Sequence, residues 1–162
     1  MMSRPEVGEP WRTEVETYMA SPMLPGSGDL AQARLALEIL CSPKRYVALF
    51  VDEMDQWVLY LQRFRDGWGG GAQASGRDVK VWASGSLLGG YGHGALPDGS
   101  VGGDVSSARV TPMLVGEQEC VWGARLRGSG PCTVTFRGQD GSTVERYALD
   151  RGQWRDPVHR IE

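Results

Sequence analysis

Asparagine is absent from this chain, lysine occurs only at Lys44 and Lys80, and histidine only at His93 and His159. Basic charge is therefore carried almost wholly by arginine. GC-rich codon usage of the actinobacterial kind imposes that imbalance, and it comes before any reading of the arginines as selected for bidentate anion contacts. Cysteine is scarce and odd in number. Cys41, Cys120 and Cys132 form no C-x-x-C pair, which excludes a disulfide framework and fits reduced thiols in a bacterial cytoplasm. Neither histidine stands at ligand spacing from a cysteine, so no zinc site and no cofactor is expected. No uncharged apolar run approaches the roughly 18 residues of a membrane span. The opening MMSRPEVGEPWRTE has charge and proline where a secretory leader needs an apolar centre, so secretion is not expected, and without a span no membrane partner is expected either. The net charge of −3 lacks the basic excess that phosphate neutralisation demands, which argues against a nucleic-acid partner.

What is present reads as a globular domain. With 162 residues, 41% hydrophobic and 23% charged, the chain can bury one core but not two full-sized ones. Its 23 glycines favour many short strands over a few long helices. After a frayed start, Trp11, Val15, Tyr18 and Met19 make one stripe of a short helix entered at Pro10. Asp29 then stands as an N-cap before LAQARLALEILC, where Leu30, Ala33, Leu37 and Leu40 predict a second helix, stopped at Ser42-Pro43.

The most apolar stretch follows, Tyr46 to Trp68. Val47, Phe50, Met54, Trp57, Leu61 and Phe64 recur at the spacing of one long helix, but the residues are largely β-branched or aromatic. The cluster Asp52-Glu53-Met54-Asp55-Gln56 also splits the run into two arms of strand length, so a β-hairpin of central strands is favoured. GGGAQASG beyond Trp68 reads as a flexible exit loop, VKVWA (79–83) as a short strand, and residues 84–107 as a long glycine-dense loop. Pro112 demotes ARVTPMLV to an edge strand. In the last third an antiparallel meander pairs Trp122 with Phe136, Ala124 with Val134 and Leu126 with Cys132. A two-residue turn at Asp140-Gly141 then sets Val134 against Tyr147 and Cys132 against Leu149. A last short strand through Trp154 follows.

The expected fold is α+β, two N-terminal helices packed on a mainly antiparallel sheet or small β-sandwich of about seven strands. Residues 1–45 form the helical extension and 46–162 the β domain, one unit overall.

Candidate sites are few. GGYGHG, with Tyr91 and His93, has the glycine density of an anion-binding loop, but no Lys-Ser/Thr and no helical period behind it. A mobile surface loop with an exposed histidine is the plainer reading. Cys41 and Cys132 read as buried packing residues. Asp52, Glu53 and Asp55 fail the calcium-loop pattern and read as a solvated turn. Trp57, Trp82 and Trp122 read as core, leaving Trp68 and Trp154 for stacking on sugars. Arg125, Arg127 and Arg137, with Arg146 nearby, would share the outer face of the meander and could meet an acidic protein. The leading functional reading is a non-catalytic domain acting through protein–protein contact. Behind it stand a small hydrolytic enzyme or small-molecule binder with His93 on a flap, and a sugar-binding module.

Overall fold

The computed structural model describes residues 11–21, 30–86, 89–106, 111–126, 132–149 and 158–161. Internal contacts divide the chain into Met1–Arg77 and Asp78–Glu162. In the first unit, helix α1 (Arg12–Ala20) precedes an antiparallel meander, β1 (Arg34–Cys41), β2 (Arg45–Val51), β3 (Asp55–Phe64) and β4 (Gly67–Gly76), in sheet order β1-β2-β3-β4. Val15 and Tyr18 face inward together with Trp11 just before the helix, as the stripe predicts. They pack with Tyr46, Ala48 and Phe50 of β2 and Trp57, Leu59 and Leu61 of β3. Full burial of such a side chain stabilises by roughly 1.5–3 kcal/mol. The Trp11 indole donates to the Ser42 carbonyl at 2.5 Å, and the Arg63 guanidinium lies 5.0 Å over the Trp11 ring while pairing with Glu14.

The hairpin is as expected. β2 and β3 pair from Arg45↔Gln62 to Val51↔Gln56, and both are interior strands. Val47, Leu49, Val51 and Val58, on the face away from α1, are also buried, which accounts for arms apolar on both sides. Its acidic turn is built by Asp52. One carboxylate oxygen accepts from the Met54 and Asp55 amides at 2.8 and 2.6 Å, the other from the Trp57 indole at 3.1 Å. This is the side-chain mimicry of a backbone turn, with no metal needed to explain the cluster.

The expected α+β class is corrected: the described residues are mostly strand, with three antiparallel sheets and α1 the one helix of ordinary length. The second predicted helix is strand β1. Two bulges, between Leu35 and Leu37 and between Glu38 and Leu40, each insert a residue and break the two-residue alternation. The buried positions of the strand, Leu35 and Ile39, then fall four apart, a spacing that imitates a helix. Cys41, at the end of β1, is exposed rather than buried. GGGAQASG is no loop either. It is β4, paired residue for residue with β3 from Phe64↔Gly67 to Asp55↔Gly76.

The second unit holds β5 (Trp82–Ser86), β6 (Gly89–Ala95), β7 (Gly102–Ser106), β8 (Thr111–Pro112), β9 (Leu114–Gly116), β10 (Val121–Leu126), β11 (Cys132–Arg137), β12 (Thr143–Leu149) and β13 (Val158–Arg160). They form two sheets, β5-β6-β10-β9 and β13-β12-β11-β7-β8. Their inner faces share one core of Val81, Val105, Trp122, Ala124, Leu126, Val134, Phe136 and Leu149. Pro112 does end an edge strand, and the chain changes sheets across Met113.

The glycine-dense stretch thus contains β6 and β7, not one long loop. The reason is Trp122. A Cβ on Gly92 would stand 3.0 Å from its ring, and one on Gly94 would stand 2.9 Å from its indole nitrogen and 1.9 Å from the Lys80 carbonyl oxygen. β6 is smooth because an indole lies across it. The expected β10–β11 hairpin is also corrected, since these strands belong to different sheets. Trp122 and Phe136 do meet, across the core rather than along a ladder, their rings 5.7 Å apart edge-to-face, and the other expected partners share that core. Burial patterning reports which side chains face inward but not which sheet carries them. The β11–β12 register is as predicted, Val134↔Tyr147 and Cys132↔Leu149, slipping by one residue at Arg137. There the Gly138–Gly141 turn closes a three-residue loop with Gly141 at φ 84°.

Two outcomes test this packing. Gly94→Ala should destabilise the chain by about 3 kcal/mol or more, because the clash is with backbone. Gly102→Ala, whose Cβ would meet only Val115 at 3.8 Å, should stay within about 1 kcal/mol of the parent in urea unfolding. Equal effects would contradict the strand assignment. For Asp52, partial burial pushes the carboxyl up. The Asp55 amide, the Trp57 indole, the Met54 amide and Arg34 outweigh it and hold the pKa below the ordinary carboxylate value. Its stabilisation is complete above pH ~4 and is lost as pH falls through the lowered folded value. Asp52→Ala should cost about 1–2 kcal/mol at pH 7, with a gap that closes in acid melts.

Candidate functional site

Lys80 lies just ahead of β5 and is fixed at its backbone by Trp122, whose indole donates to the Lys80 carbonyl at 2.7 Å. Its ammonium reaches the Glu145 carboxylate on β12, in the opposite sheet, at 3.0 and 3.3 Å. The Tyr147 hydroxyl donates to the same carboxylate from two residues along. Lys80 is partly exposed and Glu145 nearly buried, so this is a polar clasp across the end of the sandwich. The ammonium and the phenol together take three of the roughly four acceptor positions of the carboxylate, so its place here is explained by joining the two sheets. No sequence signal announces the set, because its members are 65 residues apart and each sits in an ordinary strand pattern.

His93 occupies an interior strand, between Trp82 of β5 and Gly123 of β10. Gly92 and Gly94 face Trp122, so the alternation turns His93 to the other face of the sheet, where it is only 2% exposed. Burial brings its pKa down to about 4. The expectations of an exposed histidine and of a flap are corrected by that placement. Tyr91, half-buried, shares this face and pairs in register with Arg125, also half-buried. Trp82, expected in the core, is 37% exposed.

The other arginines are not gathered. Arg137 belongs to the opposite sheet, where it pairs with Asp104 at 2.8 Å and donates to the Gly141 carbonyl at 3.3 Å. Arg146 lies on β12 opposite Thr135. Arg127 and Trp154 lie outside the described residues, and Trp68 takes the β4 position opposite Arg63. Cys132 is buried as expected; Cys41, Cys120 and Cys132 are all free. Among the described residues no group of three or more His, Cys, Asp or Glu converges as a metal site, and no helix is long and apolar enough to cross a membrane.

Among the described residues of the first unit the exposed large apolar side chains are Met54, Tyr60 and Phe64, at 77%, 52% and 60%. Tyr60 and Phe64 stand four residues apart on one face of β3 and lean over β4. A Cβ on Gly71 would come within 2.9 Å of the Tyr60 hydroxyl oxygen, and one on Gly69 within 3.1 Å of the Phe64 ring. Two aromatic rings laid on glycine backbone shield it as a side chain would. The sequence carried half of this signal, since both residues belong to the apolar run but read there as core.

The buried imidazole makes stability depend on pH in a defined direction. In the unfolded chain it binds a proton near pH 6.5, and in the folded chain only near 4, so the unfolded state gains protons between those values. Its stabilisation is whole above pH ~6.5 and declines by roughly 3 kcal/mol toward pH 4. Melting of His93→Gln should lack that decline, and a parent chain equally stable at pH 7 and 4.5 would contradict it. Comparison of the chain with protein-family models, with curated proteins and with solved structures returns no match.

Proposed function

We propose that this chain is a non-catalytic binding domain that works through protein–protein contact, and that the contact face is the β3–β4 end of the first sheet. The observation carrying this reading is the pair Tyr60 and Phe64. Each is more than half exposed on a rigid strand, and each lies over glycines of the neighbouring strand. Exposed aromatics on a preformed surface offer large contact area at small entropic cost, because only two torsions need to be fixed. The surface differs from the arginine face anticipated from sequence. Arg125 and Arg137 stand in different sheets, and Arg137 is already engaged by Asp104. A cytoplasmic site of action fits three free thiols, two of them exposed. The arginine-rich, asparagine-free composition fits a bacterial source.

Site-specific photo-crosslinking tests the reading. A benzophenone amino acid at position 60 should join the chain to another polypeptide in the producing cell. The same group at the exposed turn position Thr143 should give no such adduct. Equal adducts at both positions, or none at 60, would remove β3–β4 as the contact face.

A further inference from the structure

Glu38 and Cys41 are three residues apart on β1, and in a regular strand an odd spacing sends two side chains to opposite faces. The bulge at Ile39 cancels that. With Glu38 opposite Ala48 and Cys41 opposite Tyr46, both join the face of the sheet that carries Tyr46 and Ala48 and is covered by α1. Bulges that re-aim a side chain are over-represented beside functional sites. Tyr46 packs its ring 5.9 Å from that of Trp11 and is fully buried, yet its hydroxyl has no hydrogen-bond partner among the described residues. The hydroxyl approaches the Glu38 carboxylate without closing a hydrogen bond to it, and Glu38 Oε2 is itself buried and unpartnered. The Cys41 thiol is free and sits at the exposed rim. Burial first, and then the Glu38 charge, push both the phenol and the thiol above their ordinary values. Arg63, on the same face of β3, is engaged by Glu14 and lies over the Trp11 ring.

We propose that Cys41, Glu38 and Tyr46 form a binding site for a borderline-soft divalent cation of the zinc type. The Cys41 sulfur and Glu38 Oε2 bind it from β1, the Tyr46 oxygen closes the buried side, and water completes a tetrahedron from the open rim. A carboxylate set beside a thiol is the arrangement that a dication neutralises. Binding removes the thiol proton, which passes to solvent, and forms the metal–sulfur bond. The two buried oxygens without partners each gain one. The donors also select the metal. One sulfur with two oxygens suits zinc or cadmium, whereas magnesium and calcium bind through oxygen alone. The set differs from the groups of three His, Cys, Asp or Glu that are absent among the described residues, because its third donor is a phenol. It uses β1 and β2, and does not depend on the contact reading of β3 and β4.

Titration of the purified, reduced full chain with cadmium(II) reads the site, because a cadmium–thiolate bond gives an ultraviolet charge-transfer band. About one equivalent should saturate the band, with a dissociation constant of roughly 1 µM or tighter and release of about one proton. Zinc(II) should displace the cadmium, and magnesium(II) in about thousandfold excess should not. Cys41→Ser should abolish the band, and Glu38→Gln and Tyr46→Phe should each weaken binding at least about tenfold. Cys120→Ser, which removes the other exposed thiol, should leave band and affinity as in the parent chain. Cys41 stands at the rim, so its substitution leaves the core intact, and melting curves show whether the Glu38 and Tyr46 variants are folded. If either is not, the comparison of Cys41→Ser with Cys120→Ser still decides the site. A parent chain without a band, a band that survives Cys41→Ser or vanishes with Cys120→Ser, or folded Glu38→Gln and Tyr46→Phe chains that bind as tightly as the parent would each overturn the proposal.

Discussion

An aromatic ring laid flat on a strand without side chains is the contact on which both units depend. In the second unit it is Trp122 across Gly92 and Gly94, with its indole N–H committed to the Lys80 carbonyl. That one side chain sets the distance between the ends of the two sheets, since the residue it holds by the backbone reaches Glu145 by the side chain. It also meets Phe136 edge-to-face at the centre of the core. In the first unit the rings are Tyr60 and Phe64 across β4, with the difference that they stay exposed. Glycine loses more backbone entropy on folding than any other residue, so a strand built of it forms only where something lies on it or beside it. β6 has this on both sides, and β4 on one.

This contact also explains which parts of the fold were legible in the sequence. Where apolar residues cover two faces of a strand and a carboxylate makes the turn, as from Tyr46 to Phe64, local pattern and tertiary structure agree. The hairpin is then readable from Val47 to Leu61. The register of β11 on β12 is readable for the same reason, because Val134 and Tyr147 alternate inward around a glycine turn. Glycine reads differently. GGGAQASG and GGYGHG carry the composition of loops, and nothing within either segment shows that Tyr60, Phe64 or Trp122, distant in the chain, removes the need for side chains. β1 escaped for a separate reason, its two bulges converting a strand's alternation into helical spacing.

The candidate sites follow the same division. His93 looked exposed because glycines flank it, and those glycines are what admit the indole on one face and turn the imidazole, buried, to the other. Arg125 and Arg137 looked like neighbours because a hairpin was expected where the chain crosses between sheets. Tyr60 and Phe64 were hidden by their own hydrophobicity, since an apolar residue in an apolar run reads as core. Among the described residues, the exposed aromatic pair Tyr60 and Phe64 thus lies beside the uncharged edge strand β4.

Residue-resolved amide hydrogen exchange tests the central claim most directly, because it needs no substitution and separates strand from loop. If rings over glycine make true strands, the amides of Tyr91–Ala95, inside a sheet, should exchange at least about a hundredfold more slowly than those of the Asp98-Gly99 turn. The β4 amides facing β3 should be slowed as well. Exchange of the GGYGHG and GGGAQASG amides at the rate of that turn would contradict the account.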